Sequence, residues 1–597
     1  MSVVKVAVFI LIKKDAWVMK RREEVFQGGN QLLSYLGSMG NIFYKWNKKL
    51  EQLSTGILEI VALLLYMVLH VVISFFHEPW YDEAVAWQIA KYEPIKDILW
   101  EVPHYEGHPP LWHLVLVPFA KLGMPYECSL MIVSLLFSTA TIVCILWKSP
   151  FPRGIRLLIP FTYFPFYQYG VISRPYCMMM LAFVLLAITY KERDEKPGRY
   201  VLSLAFLCLT SAYGLVIAGG ISVVWVLKII YDKRVMVGLG RIWQDRRLQY
   251  LFFLLIFACL LILEILPKEN TFAIINRQLQ KSKGEENGIL LRLFYTLFVL
   301  PIDCVLTNSL KDMFLLYAEI DLASGALAAV IVFCLFVICV KKIKKRICIF
   351  EIVLPYILFS GFAAFVYFSR HHSGIALLYF GYVAWWLLEQ KDICMKQEKR
   401  KELEIYGNIK WLCIGIYLII SLFWTCGACF QEIQGTYAIG RKEAGFIKKY
   451  NLDNYKIMVP WHIWYQDKEK KIVKRIDTNH RPFVTNILPY FDKNIFYNYT
   501  VNDPSEMYTT HVVATKSQVE ESLQQWKKIG KPEVLIGQPQ IGMLYDYSEL
   551  NYNDYTLVYN EKIESTWKCF SDIEFSKIYV RNDLLDETGL TSVNLKH

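Results

Sequence analysis

The residues that could do chemistry crowd into one polar segment of the sequence, residues 77–112. It contains the adjacent acids Asp82 and Glu83 among several aromatic residues, and then Glu106 and His108. Carboxylates and imidazoles are the side chains that most often accept or donate a proton near neutral pH. This segment is therefore the first place to look for a reaction site.

Asp82 and Glu83 are not expected to face the same site, because adjacent residues on a helix point about 100° apart. Aspartate is a good N-cap, so one interpretation is that Asp82 only starts a helix over 83–91. The other interpretation is a general base at the boundary between lipid and water, where partial desolvation makes a carboxylate more basic. The spacing leaves both interpretations open.

Two arginines stand in short polar turns between apolar runs. Arg174 is followed by Pro175 and Tyr176, and Arg370 is followed by His371. An arginine in such a turn either extends to lipid headgroups or binds one particular phosphate, for which its planar fork of N–H donors is suited. Two such arginines and an acidic cluster favour a phosphate-activated substrate.

A membrane domain must position these residues. The chain is 55% apolar and 20% charged, whereas soluble proteins are about 45–50% apolar and about 25% charged. Apolar runs that approach the roughly 20 residues needed to cross a bilayer recur along the first 430 residues. We predict a polytopic α-helical membrane protein with about eleven spans. They are placed at 57–76, 128–147, 155–172, 175–190, 200–213, 215–231, 250–266, 322–340, 347–368, 373–388 and 409–430.

Lysine and arginine predict the orientation, since they stay on the cytoplasmic side. With the amino terminus inside, the inner segments hold 32 of the 44 Lys and Arg residues before residue 431. The net charge of +11 is thus an orientation signal rather than a sign of nucleic-acid binding, because the first 430 residues carry +12 and the remainder carries −1. The expected location is the cell membrane, with a cytoplasmic amino terminus.

Three parts of the chain follow from this pattern. They are a cytoplasmic segment over 1–56, a membrane domain over 57–430 with an outer loop at 77–127, and an extracytoplasmic domain over 431–597. Short strand-like and helical stretches alternate in the last part, which predicts a small α/β domain. The strands are expected at 455–459, 511–514, 533–536, 555–559 and 577–580, and the helices at 441–450 and 517–529.

Two further apolar stretches do not fit the alternation of inner and outer loops along the chain. The stretch 111–122 follows His108 and two prolines, and a full crossing there would reverse the orientation of the basic loops. We predict that it dips into the outer leaflet, and that 290–306 is a similar re-entrant or interfacial helix. Asp303 and Glu264 are candidates for function, because an acid at membrane depth is costly.

The fourteen cysteines do not predict a disulfide framework. Most of them lie inside predicted spans, and the last 167 residues contain only Cys569. This distribution favours packing between helices over redox or metal chemistry.

The order of these motifs resembles the C-class membrane glycosyltransferases (GT-C), and the protein O-mannosyltransferases and bacterial aminoarabinose transferases look most similar. The likeness covers about residues 57–190, is weaker around Arg370 and is only architectural in the last domain. The motifs that carry it are Asp82-Glu83, Glu106-Gly-His-Pro-Pro-Leu and Arg174-Pro-Tyr176.

The resemblance implies a polyprenyl-phosphate sugar donor and names a set of site residues. By position, Asp82 would be the catalytic base and Glu83 its catalytic neighbour. The residues implied to bind substrate are Glu106, His108, Arg174, Tyr176, Arg370 and His371.

One departure from the family concerns a second carboxylate. Many relatives carry an acid two positions before the arginine of the second outer turn, where this chain has Ile172. The second carboxylate would then come from Glu106, Glu264 or Asp303, or be absent. Without a clear carboxylate pair, neither a catalytic metal nor a cofactor is predicted.

The resemblance thus implies transfer of a hexosyl or pentosyl group to an acceptor glycan, lipid or protein on the outer face, with inversion of the anomeric centre. The expected partners are the lipid-linked sugar and the bilayer, and no nucleic acid. A multi-span transporter or lipid flippase is the main alternative, since many spans and buried acids also describe such carriers. A sensor protein that acts through the last domain is the third candidate function.

Overall fold

The structure is a computed structural model in which a bundle of helices is followed by a small mixed domain. It describes residues 41–53, 56–236, 244–269, 271, 286–306, 322–343, 346–390, 400–435, 438–458, 464–467, 472–475, 486–496, 513–514, 517, 524, 527–528, 530–537, 551–563 and 574–592. Most of the predicted amino-terminal segment 1–56 lies outside these residues.

Helices make up most of the described chain. In chain order the α-helices are Ile57–Phe76 (α1), Tyr81–Tyr92 (α2), Ile95–Trp100 (α3), Val102–Glu106 (α4), Leu111–Lys121 (α5), Tyr126–Lys148 (α6), Arg153–Leu158 (α7), Tyr176–Tyr190 (α8), Pro197–Thr210 (α9), Ala212–Met236 (α10), Arg246–Ile265 (α11), Glu286–Phe294 (α12), Leu300–Leu306 (α13), Leu322–Lys342 (α14), Arg346–Phe365 (α15), Ser373–Glu389 (α16), Arg400–Gln434 (α17), Gly440–Lys449 (α18) and Leu585–Thr588 (α19).

Seven helical stretches in the described residues are long and apolar enough to cross a membrane, and α5, α8, α9 and α16 are shorter apolar helices. Many large apolar side chains on these helices face outward; on α1, Leu64 is 56% and Phe75 is 74% exposed. An apolar surface of this extent suits lipid. The chain is therefore a polytopic helical protein with several helices suited to a membrane, and the number of spans stays a prediction.

The elements differ from the predicted spans in one place, and two further stretches bear on the predictions. The predicted span 155–172 is divided into α7, a 3₁₀ turn at Ile159–Phe161 and a π-helix at Phe164–Val171, because two prolines interrupt the backbone hydrogen bonds. Extended backbone at Ser211 separates α9 from α10, which agrees with the two separate spans predicted at 200–213 and 215–231. The stretch 290–306 lies in a helix that runs from α12 through a π turn to α13 and is long and apolar enough to cross, and its re-entrant or interfacial placement stays a prediction.

Contacts between helix ends fall into two groups. Near the starts of α1 and α7, Arg153 Nη2 donates to Glu59 at 2.7 Å. Beyond α8, Arg193 Nη2 donates to Glu351, near the start of α15, at 2.6 Å. At the other end of α1, His77 contacts the end of α17. Arg153 also donates to the backbone oxygens of Leu50 and Leu53, so two segments predicted to be cytoplasmic contact one another, and His77 and Glu432 join two segments predicted to be outside. Which group faces the cytoplasm stays a prediction of the charge pattern.

The last domain contains two sheets. Its strands are Ile457–Met458 (β1), Trp464–Asp467 (β2), Ile472–Arg475 (β3), Val513–Ala514 (β4), Val534–Ile536 (β5), Tyr555–Ile563 (β6) and Glu574–Arg581 (β7). The four-stranded sheet has the order β1-β5-β7-β6, with β1 and β5 parallel and the other pairs antiparallel. The second sheet has the order β3-β2-β4.

The pattern of β7 explains how this domain is built. Ser576, Ile578 and Val580 are buried and alternate with partly exposed residues, the period of a strand with one covered face. Ile447 of α18 belongs to the same apolar cluster. The five predicted strands and the helix predicted at 441–450 are confirmed, β2 and β3 were not predicted, and most of 517–529 lies outside the described residues.

Candidate active site

The polar segment after α1 is organised by the first turn of α2. Trp80 is the N-cap residue, and Glu83 reaches back to accept a hydrogen bond from the Trp80 backbone N–H at 3.1 Å. A glutamate at the third helical position commonly closes a helix start in this way. Asp82 is therefore not the N-cap, and that interpretation of the sequence is wrong.

Glu83 is completely buried, and both of its carboxylate oxygens have partners. Oε1 accepts a hydrogen bond from the Ser173 backbone N–H at 2.7 Å, and Oε2 lies 3.0 Å from Nε2 of His77. These contacts fasten α2 to the turn that precedes α8. Of the two adjacent acids, only Asp82 is exposed enough to meet a substrate, so Glu83 has the geometry of a positioning residue.

Asp82 forms an ion pair with Arg174, and their side chains are 31% and 13% exposed. The Arg174 guanidinium carbon also lies 5.9 Å from the Trp80 ring centroid and 5.8 Å from that of Tyr176. Asp82 and Arg174 are 92 positions apart in the chain. The fold thus brings together an acid and an arginine that the sequence could only place in separate loops.

A third segment, Ser369 to His372, closes the cluster around Tyr176. The Tyr176 ring stacks on Tyr169 with centroids 4.8 Å apart, and it lies 5.9 Å from the rings of both His371 and His372. The Ser369 hydroxyl is 2.6 Å from Nδ1 of His371. Predicted site residues from three segments that the charge pattern places outside therefore meet in one cluster.

His371 and His372 lie in an environment that favours their neutral form. Burial, together with the charges of Arg174 and His108, holds the pKa of His371 well below its usual value. Burial and the same two neighbours, with His371 itself, do so for the pKa of His372. A neutral imidazole has one N–H donor and one acceptor nitrogen. These two rings can therefore make hydrogen bonds without adding charge.

His108 lies beside this cluster, and Glu106 ends α4 two residues before it. Gly107 ends α4 with a backbone φ of 66°, a left-handed conformation that glycine adopts without strain. His108 is close enough to act electrostatically on His371 and His372, and Glu106 acts on the buried His113 of α5. The predicted site residue Arg370 begins a 3₁₀ turn, but its side chain lies outside what the structure describes.

The other two acids considered as the second carboxylate, Asp303 and Glu264, lie on α13 and α11. Asp303 is buried and accepts a hydrogen bond from the Tyr295 hydroxyl at 2.7 Å. Glu264 is half-buried near the end of α11. Within the described ranges, no group of three or more His, Cys, Asp or Glu side chains could hold a metal ion.

The last domain contacts the helices at the same end as the cluster. Arg441 of α18 donates to Glu127 at the start of α6 and to the His77 carbonyl oxygen, each at 2.8 Å. The Tyr490 hydroxyl also donates to Glu127, and Lys91 of α2 pairs with Asp492 at 3.6 Å. We refer to the residues of these four contacts as the seam.

Sequence reasoning did not assign a role to His77, Glu432 or His372. His77 and His372 were visible as histidines at the ends of apolar runs. Glu432 could have been noticed as an acid at the outer end of the last predicted span. No spacing rule connects these positions, because the partners lie on different helices.

A scan against protein-family models, a search of curated proteins and a search of solved structures each found no match. The fold and contacts define a class on their own: a polytopic helical protein with an acid, an arginine and histidines clustered at one end of its bundle.

Proposed function

We propose that this chain is a membrane glycosyltransferase that moves a sugar from a polyprenyl-phosphate donor to an acceptor hydroxyl at the outer face. The observation that supports this best is the pairing of the partly exposed Asp82 with Arg174 beside two neutral histidines. The likeness of the motifs to the C-class enzymes supports the same assignment.

The chemistry needs a base and an anion-binding group close together. Asp82 would take the proton from the acceptor hydroxyl while the acceptor oxygen forms a bond to the anomeric carbon. The bond from that carbon to the phosphate oxygen breaks, and its electron pair leaves on the lipid phosphate. Attack from the side opposite the phosphate inverts the anomeric centre.

Arg174 and the histidines are suited to the phosphate. A guanidinium binds phosphate oxygens through two parallel N–H donors. A donor phosphate would compete with Asp82 for this guanidinium, which would free the carboxylate to accept the proton. His371 and His372 would donate further hydrogen bonds as the phosphate charge develops. The apolar surface of the helices would accommodate the polyprenyl tail.

The decisive experiment compares cells with and without the gene by mass spectrometry of envelope glycans and lipid-linked sugars. Deletion should accumulate one lipid-linked sugar and remove one glycosylated product. Complementation with Asp82→Asn should reproduce the deletion, because loss of a general base costs about 10²- to 10⁴-fold in rate. Asp97→Asn, in α3 of the same outer segment, should complement like the unaltered chain.

Other outcomes would favour the other functions. Full complementation by Asp82→Asn would remove Asp82 from the base role. A lipid-linked sugar that changes sides without being consumed would indicate a flippase. A phenotype that depends on residues 431–597 but not on Asp82 would indicate a sensor.

A further inference from the structure

His77 lies between two buried acids at the junction of α1 and α2. Its side chain is 5% exposed, and those of Glu83 and Glu432 are 0% and 1% exposed. Nδ1 is 2.7 Å from Glu432 Oε1, and Nε2 is 3.0 Å from Glu83 Oε2. An ionised carboxylate only accepts hydrogen bonds, so a ring that serves two of them must carry a hydrogen on both nitrogens.

The charged form of this ring is favoured by its surroundings. Burial lowers the pKa of His77, but the charges and hydrogen bonds of Glu83 and Glu432 outweigh burial and raise it to about 10. His77 is therefore an imidazolium at neutral pH. It separates two buried carboxylates that would otherwise repel each other.

The two acids extend the contact to other elements. Glu432 Oε1 also accepts a hydrogen bond from the Tyr167 hydroxyl at 2.9 Å, in the π-helix. Glu83 accepts the Ser173 backbone N–H, and the next residue is Arg174. An unbroken series of hydrogen bonds thus runs from α17 through His77 to both the helix start that carries Asp82 and the turn that carries Arg174.

The last domain is attached to the same residue. Glu432 lies at the end of α17, which leads into that domain, and Arg441 of α18 donates to the His77 carbonyl oxygen at 2.8 Å. The ring of His77 therefore contacts the last helix of the bundle, and its backbone contacts the first helix of the domain that follows.

We propose that His77 is a positioning residue that holds Asp82 against Arg174 and connects this pair to the C-terminal domain through Glu432 and Arg441. This inference rests on the proposed function for its effect on turnover. Without the imidazolium, Glu83 loses one hydrogen-bond partner. Its carboxylate then faces that of Glu432 in a buried place where the charge of His77 no longer offsets them. The start of α2 then shifts, and the base and the arginine lose their alignment.

The test uses the full-length protein in detergent, with His77→Gln and Glu432→Gln as single and double variants. For each variant, kcat and KM are measured with the lipid-linked donor identified by the deletion experiment, per folded molecule. We expect kcat to fall 10- to 100-fold while KM changes less than threefold, because misalignment affects the transition state more than binding. The double variant should have a kcat no lower than that of the more impaired single variant, since both substitutions disrupt the same hydrogen-bonded contact.

Amide hydrogen exchange supplies a readout that does not depend on turnover. Exchange at residues 80–84 and 172–176 should increase at least fivefold in His77→Gln. Glu351→Gln is the matched control, because it breaks a buried ion pair with Arg193 at the other end of the helices. It should lower thermal stability without changing kcat per folded molecule or the exchange at these residues.

The outcomes separate the two proposals. A kcat of His77→Gln and Glu432→Gln within threefold of the unaltered chain, with unchanged exchange, would overturn the role of His77. No turnover by the unaltered chain, with increased exchange in His77→Gln, would contradict the glycosyltransferase and keep the coupling. If His77→Gln does not fold, Glu432→Gln decides both readouts, because it keeps the ring and its contact with Glu83.

Discussion

At the scale of single residues, Arg174 determines what the cluster can bind. Its guanidinium is paired with Asp82 and lies near two aromatic rings. The two neighbouring histidines favour their neutral form, so they add no positive charge beside Arg174. Recognition of a phosphate should therefore depend on the shape of this side chain as well as on its charge.

Arg174→Lys keeps the charge but removes the fork of donors. We expect kcat/KM for the lipid-linked donor to fall by about 10- to 100-fold, since a hydrogen bond to a charged group contributes about 1.5–3 kcal/mol. Arg174→Gln should lose more. Initial rates over a range of donor concentrations measure both.

Arg199→Lys provides the control for this substitution. The Arg199 side chain is 69% exposed and lies 3.6 Å from Glu192, in a segment predicted to be cytoplasmic. It should leave kcat/KM unchanged. Equal rates for Arg174→Lys and the unaltered chain would exclude bidentate recognition by Arg174.

At the scale of elements, helix ends are joined by buried charges. Arg193, just beyond α8, donates to Glu351 of α15, and its guanidinium carbon lies 3.9 Å from the centroid of the Tyr190 ring. The side chains of Arg193 and Glu351 are 4% and 9% exposed. A buried ion pair makes the folded state intolerant of losing one partner, because the other charge is left uncompensated.

Glu351→Gln should therefore destabilise the protein by about 3–5 kcal/mol. A thermal or denaturant melt in detergent measures the loss. Glu192→Gln removes an exposed acid from the same loop and should leave the melting midpoint unchanged. A midpoint for Glu351→Gln equal to that of Glu192→Gln would show that this pair does not hold α8 and α15 together.

At the scale of the whole molecule, the seam unites the two parts of the protein. Glu78 is buried beside it, and burial raises its pKa to about 7 despite the opposing charges of Arg441 and Lys442, while Glu127 and Glu432 add to the rise. Burial, with the Glu78 charge nearby, also raises the pKa of Glu443 well above its usual value. The folded chain therefore favours the protonated form of both acids.

This arrangement predicts that the folded state of this region loses stability as the pH rises. A carboxyl group whose pKa is higher in the folded state than in the unfolded state contributes its full stabilisation below its unfolded value, near 4.5 for Glu78. That contribution is lost between about pH 4.5 and 7, where the unfolded group ionises and the folded group must follow. Limited proteolysis of residues 435–440 should be faster at pH 8 than at pH 5.

Glu78→Gln removes the titrating group and should make the cleavage rate less dependent on pH. At each pH, the cleavage rate of the protein is divided by the cleavage rate of a reference peptide, so that the pH dependence of the protease itself cancels. An identical ratio in the unaltered chain and in Glu78→Gln would show that Glu78 does not control the seam.

The sequence by itself determined most of the elements. Long apolar runs predicted most of the helices, and alternation in the last domain predicted five of its strands, because both patterns depend on neighbours within a few residues. The divided span 155–172 differed, since prolines and a π turn change backbone geometry without changing average hydropathy.

The tertiary structure alone decided how the polar residues are paired. Asp82 and Arg174 are 92 positions apart, and His77 and Glu432 are 355 positions apart. No local periodicity encodes such contacts, because they depend on which helices pack together. The tertiary structure also distinguishes Asp82 from Glu83. Glu83 is buried by partners on other segments, which leaves Asp82 as the more exposed acid of the two.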